Sequence, residues 1–174
     1  RVDLEISGFK VAGIISGLYP GGLIHHQVED RERDRVSFWI THIILDCALR
    51  KGGKVPALSA LCTEKLDCNY GCPPDSMAVI EELLDIYWQG LKRPAPFFPR
   101  TSWAFAEALR KGRKEPAEQA RGKWESEENY GDSDDPYVHK CFADSDPLES
   151  AEFRELAVRI LRPALEHGNF KSHK

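Results

Sequence analysis

The sequence predicts a mixed α/β (α+β) fold, and three observations predict it. The first 28 residues are β-rich, with alternating apolar and polar positions and a glycine-proline turn. Residues 34–50 and 76–89 instead place apolar side chains every three to four positions, the period of an amphipathic helix. Beyond residue 100 only helical patterns recur. The resulting order, β-β-β-α-β-α followed by further helices, implies a mixed sheet flanked by helices, with extra helices at the C-terminal end.

Residues 2–7 alternate, with Val2, Leu4 and Ile6 on one face. Residues 11–19 are β-rich, Pro20-Gly21-Gly22 is a hairpin signal, and residues 23–28 read as the returning strand. Together these predict an antiparallel meander of about three strands. A helix over 34–50, capped by Asp34, presents Val36, Trp39, Ile40, Ile43, Ile44 and Cys47 on one face and stops at Gly52-Gly53. Ala57, Ser59, Leu61 and Thr63 begin one strand-like segment that fades at Asn69-Tyr70-Gly71.

The second helix, over 76–89, follows Pro73-Pro74-Asp75 and carries an apolar face of Met77, Ile80, Leu83, Leu84, Tyr87 and Trp88, with Gly90 at its end. A loop with prolines at 94, 96 and 99 follows; proline fixes its own φ and keeps the preceding residue extended. Thr101 or Ser102 is then suited to cap a helix over 102–111, and Pro116 to start another over 115–127. Residues 129–135 form an acidic loop, 136–142 one or two helical turns, and Asp146-Pro147 opens the last helix, with Phe153, Leu156, Ala157, Ile160 and Leu161 on one face. Pro163 kinks or resets it, and residues 165–170 close the pattern. With 174 residues and no repeat, the reading is a single domain over 1–174, cut from a longer protein because the first residue is Arg1 and already strand-like.

Composition narrows the function. Hydrophobic residues are 41% and charged residues 30%, as in a soluble globular chain, and no apolar run approaches the ~18 residues of a membrane helix. Five cysteines without a secretion signal favour reduced thiols and a cytoplasmic setting. Cys62, Cys68 and Cys72 are spaced C-x5-C-x3-C, lacking both the C-x2-C knuckle and a nearby fourth ligand, so buried or loop thiols are expected rather than a metal centre. His25 and His26 are neighbours on a strand and point to opposite faces, a poor arrangement for one metal. No phosphate-binding glycine loop, Ser-His-Asp pattern or zinc signature is present.

The net charge of −4 conceals a polarised distribution. Residues 92–123 hold nine Lys or Arg against three acids, and residues 125–135 hold six acids and no base. A local excess of positive charge attracts phosphates even on an acidic protein, which makes Arg100, Arg110, Lys111, Arg113 and Lys114 candidate DNA contacts. Charges solvating a helix pair are the simpler alternative. Tyr87, Trp88, Phe97, Phe98, Trp103 and Phe105 are core side chains at helical spacing or, for Phe97 and Phe98 beside Arg100, stacking surfaces for unpaired bases.

Tyr87-Trp88-Gln89-Gly90-Leu91, the loop from Arg93 to Arg100 and the Trp103 helix resemble the carboxy-terminal domain of RecC, the gamma subunit of exodeoxyribonuclease V. Gly13 to Trp39, a hairpin followed by a helix, extends the resemblance, which covers roughly residues 2–170. It implies a PD-(D/E)XK nuclease-like core. Active cores of that kind supply an Asp from one strand and an Asp/Glu, a spacer and a Lys from the next, to hold Mg²⁺ and prepare a water. Aligned on that pattern, Ser16 stands at the first Asp, His25 at the second carboxylate and Gln27 at the Lys, none of them the catalytic type. The resemblance therefore implies an inactive nuclease fold in a helicase/nuclease complex for double-strand break repair and homologous recombination. It further implies RecB-like and RecD-like partners, contact with double-strand ends and single strands of DNA, and no cofactor of its own, ATP and Mg²⁺ being used by other subunits. Two alternatives stand beside it: an active metal-dependent exonuclease domain of the RecB or AddB kind, with Glu29-x-Arg31 as a shifted motif, and a protein-interaction module without DNA contact.

Overall fold

The computed structural model describes residues 1–53, 58–126 and 131–173. The expected strand start at Ala57, the helix end at Glu127 and the loop start at Asn129 lie outside the described residues. The chain divides into two compact units, residues 1–88 with 166–174, and residues 89–165.

In the first unit, β1 (Val2–Ile6) and β2 (Phe9–Gly13) form a two-stranded antiparallel ribbon. Ser7 and Gly8 turn it with φ of 47° and 82°, the doubly positive backbone that matches the twist of a tight hairpin. Val2, Leu4 and Ile6 are buried, and α1 (Glu32–Lys51) packs on β1. The predicted three-strand meander is corrected here. The ribbon is a sheet of its own, and β3 (Leu18–Tyr19) and β4 (Gly22–His26) begin a second one, of order β3-β4-β5-β6-β7.

β4 pairs in parallel with β5 (Ser59–Cys62), Leu23 opposite Ser59 and His26 opposite Cys62, and α1 makes the crossover. The segment expected as one strand is a hairpin: β5 turns through residues 63–65 into β6 (Leu66–Tyr70). The Thr63 hydroxyl accepts from the Leu66 amide at 2.9 Å and donates to the Leu66 carbonyl at 2.8 Å, a local exchange that closes the turn. A strand absent from the sequence reading, β7 (Gly168–Ser172), completes the sheet antiparallel to β6, directly after the last helix.

Helix α1 begins at Glu32 with Arg31 as its N-cap residue, so Asp34 is not the cap. Glu32 and Asp34 instead place two carboxylates in its first turn, where they complement the positive end of the helix dipole. Its buried stripe is Val36, Phe38, Trp39, His42, Ile43, Leu45, Asp46 and Cys47. Trp39 lies with ring centroids 5.2 Å from Tyr70 and 5.5 Å from His42, and stacks on His167 at 6.5 Å. The fully buried His42 Nδ1 lies 2.7 Å from Ser59 Oγ on β5. One turn on, the fully buried Asp46 carboxylate accepts from Ser76 Oγ at 2.5 Å and Arg50 Nε at 2.6 Å. Burial alone would raise the Asp46 pKa; the Ser76 hydroxyl, the Cys72 thiol and Arg50 together hold it below the usual carboxylate range.

The predicted burial of the α2 (Ser76–Gly90) face is also corrected. Only Ser76 and Ile80 are buried, while Tyr87 and Trp88 are 59% and 47% exposed. Trp88 meets the ribbon edge-on at Phe9, and Ser7 Oγ donates to Glu81 at 3.0 Å, so the turn end of the ribbon is joined to α2 at two points.

The second unit contains α3 (Pro99–Arg110), α4 (Pro116–Trp124), α5 (Pro136–Phe142) and most of α6 (Ala151–His167). Phe98, not Thr101 or Ser102, is the N-cap residue of α3. The first turn is instead satisfied from a distance: Asp132 Oδ2 accepts from the Thr101 amide at 2.9 Å and its hydroxyl at 2.7 Å. Phe98, Phe105, Ala120, Trp124, Leu148, Phe153 and Ala157 form one core, with Phe98 and Trp124 ring centroids 4.7 Å apart. Phe98 at 4% exposure is thus removed from the candidate stacking surface; Phe97 is half-buried. Pro163 sits inside α6, which continues to His167 rather than ending there.

Trp103 is 3% exposed. Trp103→Ala is therefore expected to cost about 3–5 kcal/mol in denaturant unfolding; a loss below about 1 kcal/mol would mean a ring at the surface. The His42 imidazole titrates below its ordinary value, chiefly from burial, against the opposing pull of the Gly71 backbone and Asp46. The fold therefore keeps it neutral, and the unfolded chain takes up the extra proton. This contribution is complete above the unfolded value of 6.5 and is lost as pH falls below it. Urea unfolding from pH 7.5 to 5 should show declining stability, with a shallower decline in His42→Gln.

Candidate functional site

The residues aligned with nuclease positions gather at the end of β4. Strand alternation puts Leu23 and His25 on one face and Ile24 and His26 on the other. Leu23 is fully buried, and the His25 ring lies 5.1 Å from Phe38 of α1. Ser16 precedes β3 outside any strand and offers His25 its backbone, not its hydroxyl: the carbonyl is 3.1 Å from Nε2. A carbonyl only accepts, so this contact places a proton on His25 Nε2.

Gly17 allows that approach. Its φ is +76°, and an added Cβ would stand 2.6 Å from the Ile24 carbonyl oxygen and 2.9 Å from the His25 ring. Gln27 lies just past β4, exposed, its backbone N–H donating to the Cys62 carbonyl at 2.9 Å. The structure thus brings Ser16 and His25 together and sets Gln27 two residues on.

The carboxylates nearest in sequence are engaged. Asp30 accepts from Arg35 Nε at 2.8 Å and from its Nη2, in a pair whose side chains are only 15% and 13% exposed, and Glu29 pairs with Arg31. Among the described residues no three His, Cys, Asp or Glu side chains converge as a metal-binding group. The thiols of Cys47 and Cys68 are pushed up by burial, to about 11 and about 12.

The basic candidates divide. Arg100 lies in the first turn of α3, half-buried. Arg110, Lys111, Arg113 and Lys114 sit at the far end, about 15 Å away along the axis at 1.5 Å per residue. There α3 closes in a Schellman motif: the Arg113 amide reaches the Ala108 carbonyl and the Gly112 amide the Leu109 carbonyl, both at 3.0 Å, with Gly112 at φ +64°. The chain then reverses into α4, which packs along α3. The reversal puts four exposed cations into five positions at the tip of a helical hairpin. Lys111 pairs with Glu107 at 3.1 Å and Arg113 donates to Gln119 at 3.0 Å, both exposed contacts of small energy. Beside the tip, the neighbouring carboxylate of Glu115 raises the pKa of Glu118.

A family model, the RecC C-terminal domain, matches residues 1–110. The chain belongs to the RecC C-terminal domain family. No curated protein matches the chain. The match spans the ribbon, β3 to β6, α1, α2 and α3. Ser16, His25, Gln27, Arg100 and Arg110 fall inside the RecC region, and Lys111, Arg113 and Lys114 lie just beyond it. Membership of this family points to a component of the RecBCD complex, exodeoxyribonuclease V, and so to DNA repair. No helix among the described residues is long and apolar enough to cross a membrane.

Sequence reasoning missed Asp132 as the distant cap of α3 and the His42–Asp46 pair inside α1. The first left no signal, because its partner is 31 residues away. The second left one: a His and an Asp four apart on a stripe that also carries Val36, Trp39 and Ile43.

Proposed function

We propose that this chain is a non-catalytic, nuclease-like domain of a RecBCD-type helicase/nuclease, supporting duplex splitting at double-strand ends and docking partner subunits. The observation that carries the proposal is the residue set at the end of β4. Ser16, His25 and Gln27 offer a backbone carbonyl, a ring nitrogen that donates and a neutral amide, where Mg²⁺ chemistry calls for anionic oxygens and a cation. The neighbouring carboxylates of Glu29 and Asp30 are each paired with an arginine. A domain of this kind works without a metal or nucleotide of its own; ATP and Mg²⁺ belong to RecB-like and RecD-like partners, in a cytoplasmic machine.

DNA contact is assigned to the hairpin tip. Four cations held at a fixed helix end suit phosphate oxygens, which neutralise their mutual repulsion and carry no sequence information. Arg100, at the opposite end of α3, is a weaker member of the set.

Two measurements test this reading. Linear single- and double-stranded DNA with Mg²⁺ or Mn²⁺ should stay intact in the presence of the purified domain; cleavage that survives repurification and disappears in Glu29→Ala or Asp30→Ala would establish the active-nuclease alternative. Fork-DNA anisotropy across a salt series, in the assembled complex, should show Arg113→Ala with Lys114→Ala weakening binding. The slope of log K against log salt should fall by about one for each phosphate that the variant no longer neutralises. Unchanged affinity and slope would leave the tip as a solvated helix end or a subunit-docking face.

A further inference from the structure

We propose that His173 and Asp67 form a proton-dependent clasp that holds β7 on the sheet. The geometry is specific. His173 Nε2 lies 3.0 Å from Asp67 Oδ2 on β6, its Nδ1 lies 3.2 Å from the Glu64 carbonyl oxygen, and its amide donates to the Lys65 carbonyl at 2.9 Å. Both ring nitrogens therefore face oxygens that only accept. A neutral imidazole carries one N–H and can satisfy one of them; only the imidazolium donates to both.

The surroundings favour the charged ring. Asp67 is the carboxylate that faces it, and Lys171 of β7, the cross-strand partner of Asp67, and the Cys62 thiol of β5 reach the same carboxylate. Glu64 and Lys65 contribute backbone oxygens from the turn. The Asp67 hydrogen bond is the largest cause of a raised His173 pKa, and the same bond holds Asp67 below the usual carboxylate range. With a raised folded-state value, the contribution is complete below the unfolded value of 6.5 and disappears as pH rises through the pKa of the clasped ring. This is opposite in sign to buried His42.

The clasp sits at a consequential place. The chain passes from the first unit to the second after Trp88 and returns at Glu166, so β7 is the returning segment. Its pairing with β6, Leu66 opposite Ser172 through Tyr70 opposite Gly168, secures that return, and His173 is fastened one residue beyond the last pair.

The test is hydrogen exchange read by mass spectrometry on the intact protein at pH 6 and pH 8.5, corrected for intrinsic exchange rates. The β1–β2 ribbon serves as an internal reference that the clasp does not touch. Relative to the ribbon, whose protection follows the His42 contribution and does not fall with rising pH, protection of residues 168–172 should fall severalfold at the higher pH. Asp67→Asn, a near-isosteric change at a half-buried position, should lower protection at pH 6 and remove the pH dependence, and His173→Gln should do the same. Protection of β7 that keeps the same ratio to the ribbon at both pH values, or an undiminished pH dependence of that ratio in Asp67→Asn, would overturn the proposal.

Discussion

The parallel pairing of β4 with β5 is the constraint on which the first unit depends. Parallel neighbours cannot be joined by a tight turn, so a crossover helix is required, and α1 supplies it. That helix must then cover the sheet, and its stripe does so with Trp39, His42, Ile43 and Phe38. Full burial of an aliphatic or aromatic side chain contributes about 1.5–3 kcal/mol, and clustered rings such as Trp39 and Tyr70 add about 0.5–1.5 kcal/mol per pair. The same stripe carries His42 and Asp46 inward. Their hydrogen bonds to Ser59 of β5 and Ser76 of α2 fix the registry of helix, sheet and second helix, since each buried polar group requires its partner in one place.

Because α1 covers one face at this point, the end of β4 becomes a shaped location. His25 points toward Phe38 and donates its hydrogen bond to the Ser16 carbonyl, with Gly17 as the residue that permits the close approach. Here a half-buried ring and a backbone oxygen satisfy each other, and the Arg35–Asp30 pair removes the nearest partly buried carboxylate from availability. The local chemistry is that of a closed structural contact.

The second unit is organised by different means. Its strongest element is an aromatic core of Phe98, Phe105, Trp124 and Phe153, and the helical hairpin it supports turns at Gly112. A glycine in the left-handed region makes the reversal short, and the short reversal concentrates Arg110, Lys111, Arg113 and Lys114. Cations at the C-terminal end of α3 also complement its dipole, so their placement supports the helix that carries them.

The sequence by itself determined the elements whose signal is local. Period-two burial at Val2, Leu4 and Ile6, the Pro20-Gly21 turn, α1, α2, the helix starts at Pro116 and Pro136, and the family likeness around residues 87–103 were all legible, because propensity, periodicity and proline geometry act over a few residues. The tertiary structure decided what depends on distant partners. It separated the ribbon from the five-stranded sheet, and it turned residues 168–172 into a strand because β6 was there to pair with them. It left Tyr87 and Trp88 exposed on a helix whose pattern predicts burial, and it buried Phe98. It also split one run of basic residues between the two ends of α3. Strand pairing, helix covering and the side on which a charge emerges are non-local quantities, set by chain closure across tens of residues, and no window of the sequence contains them.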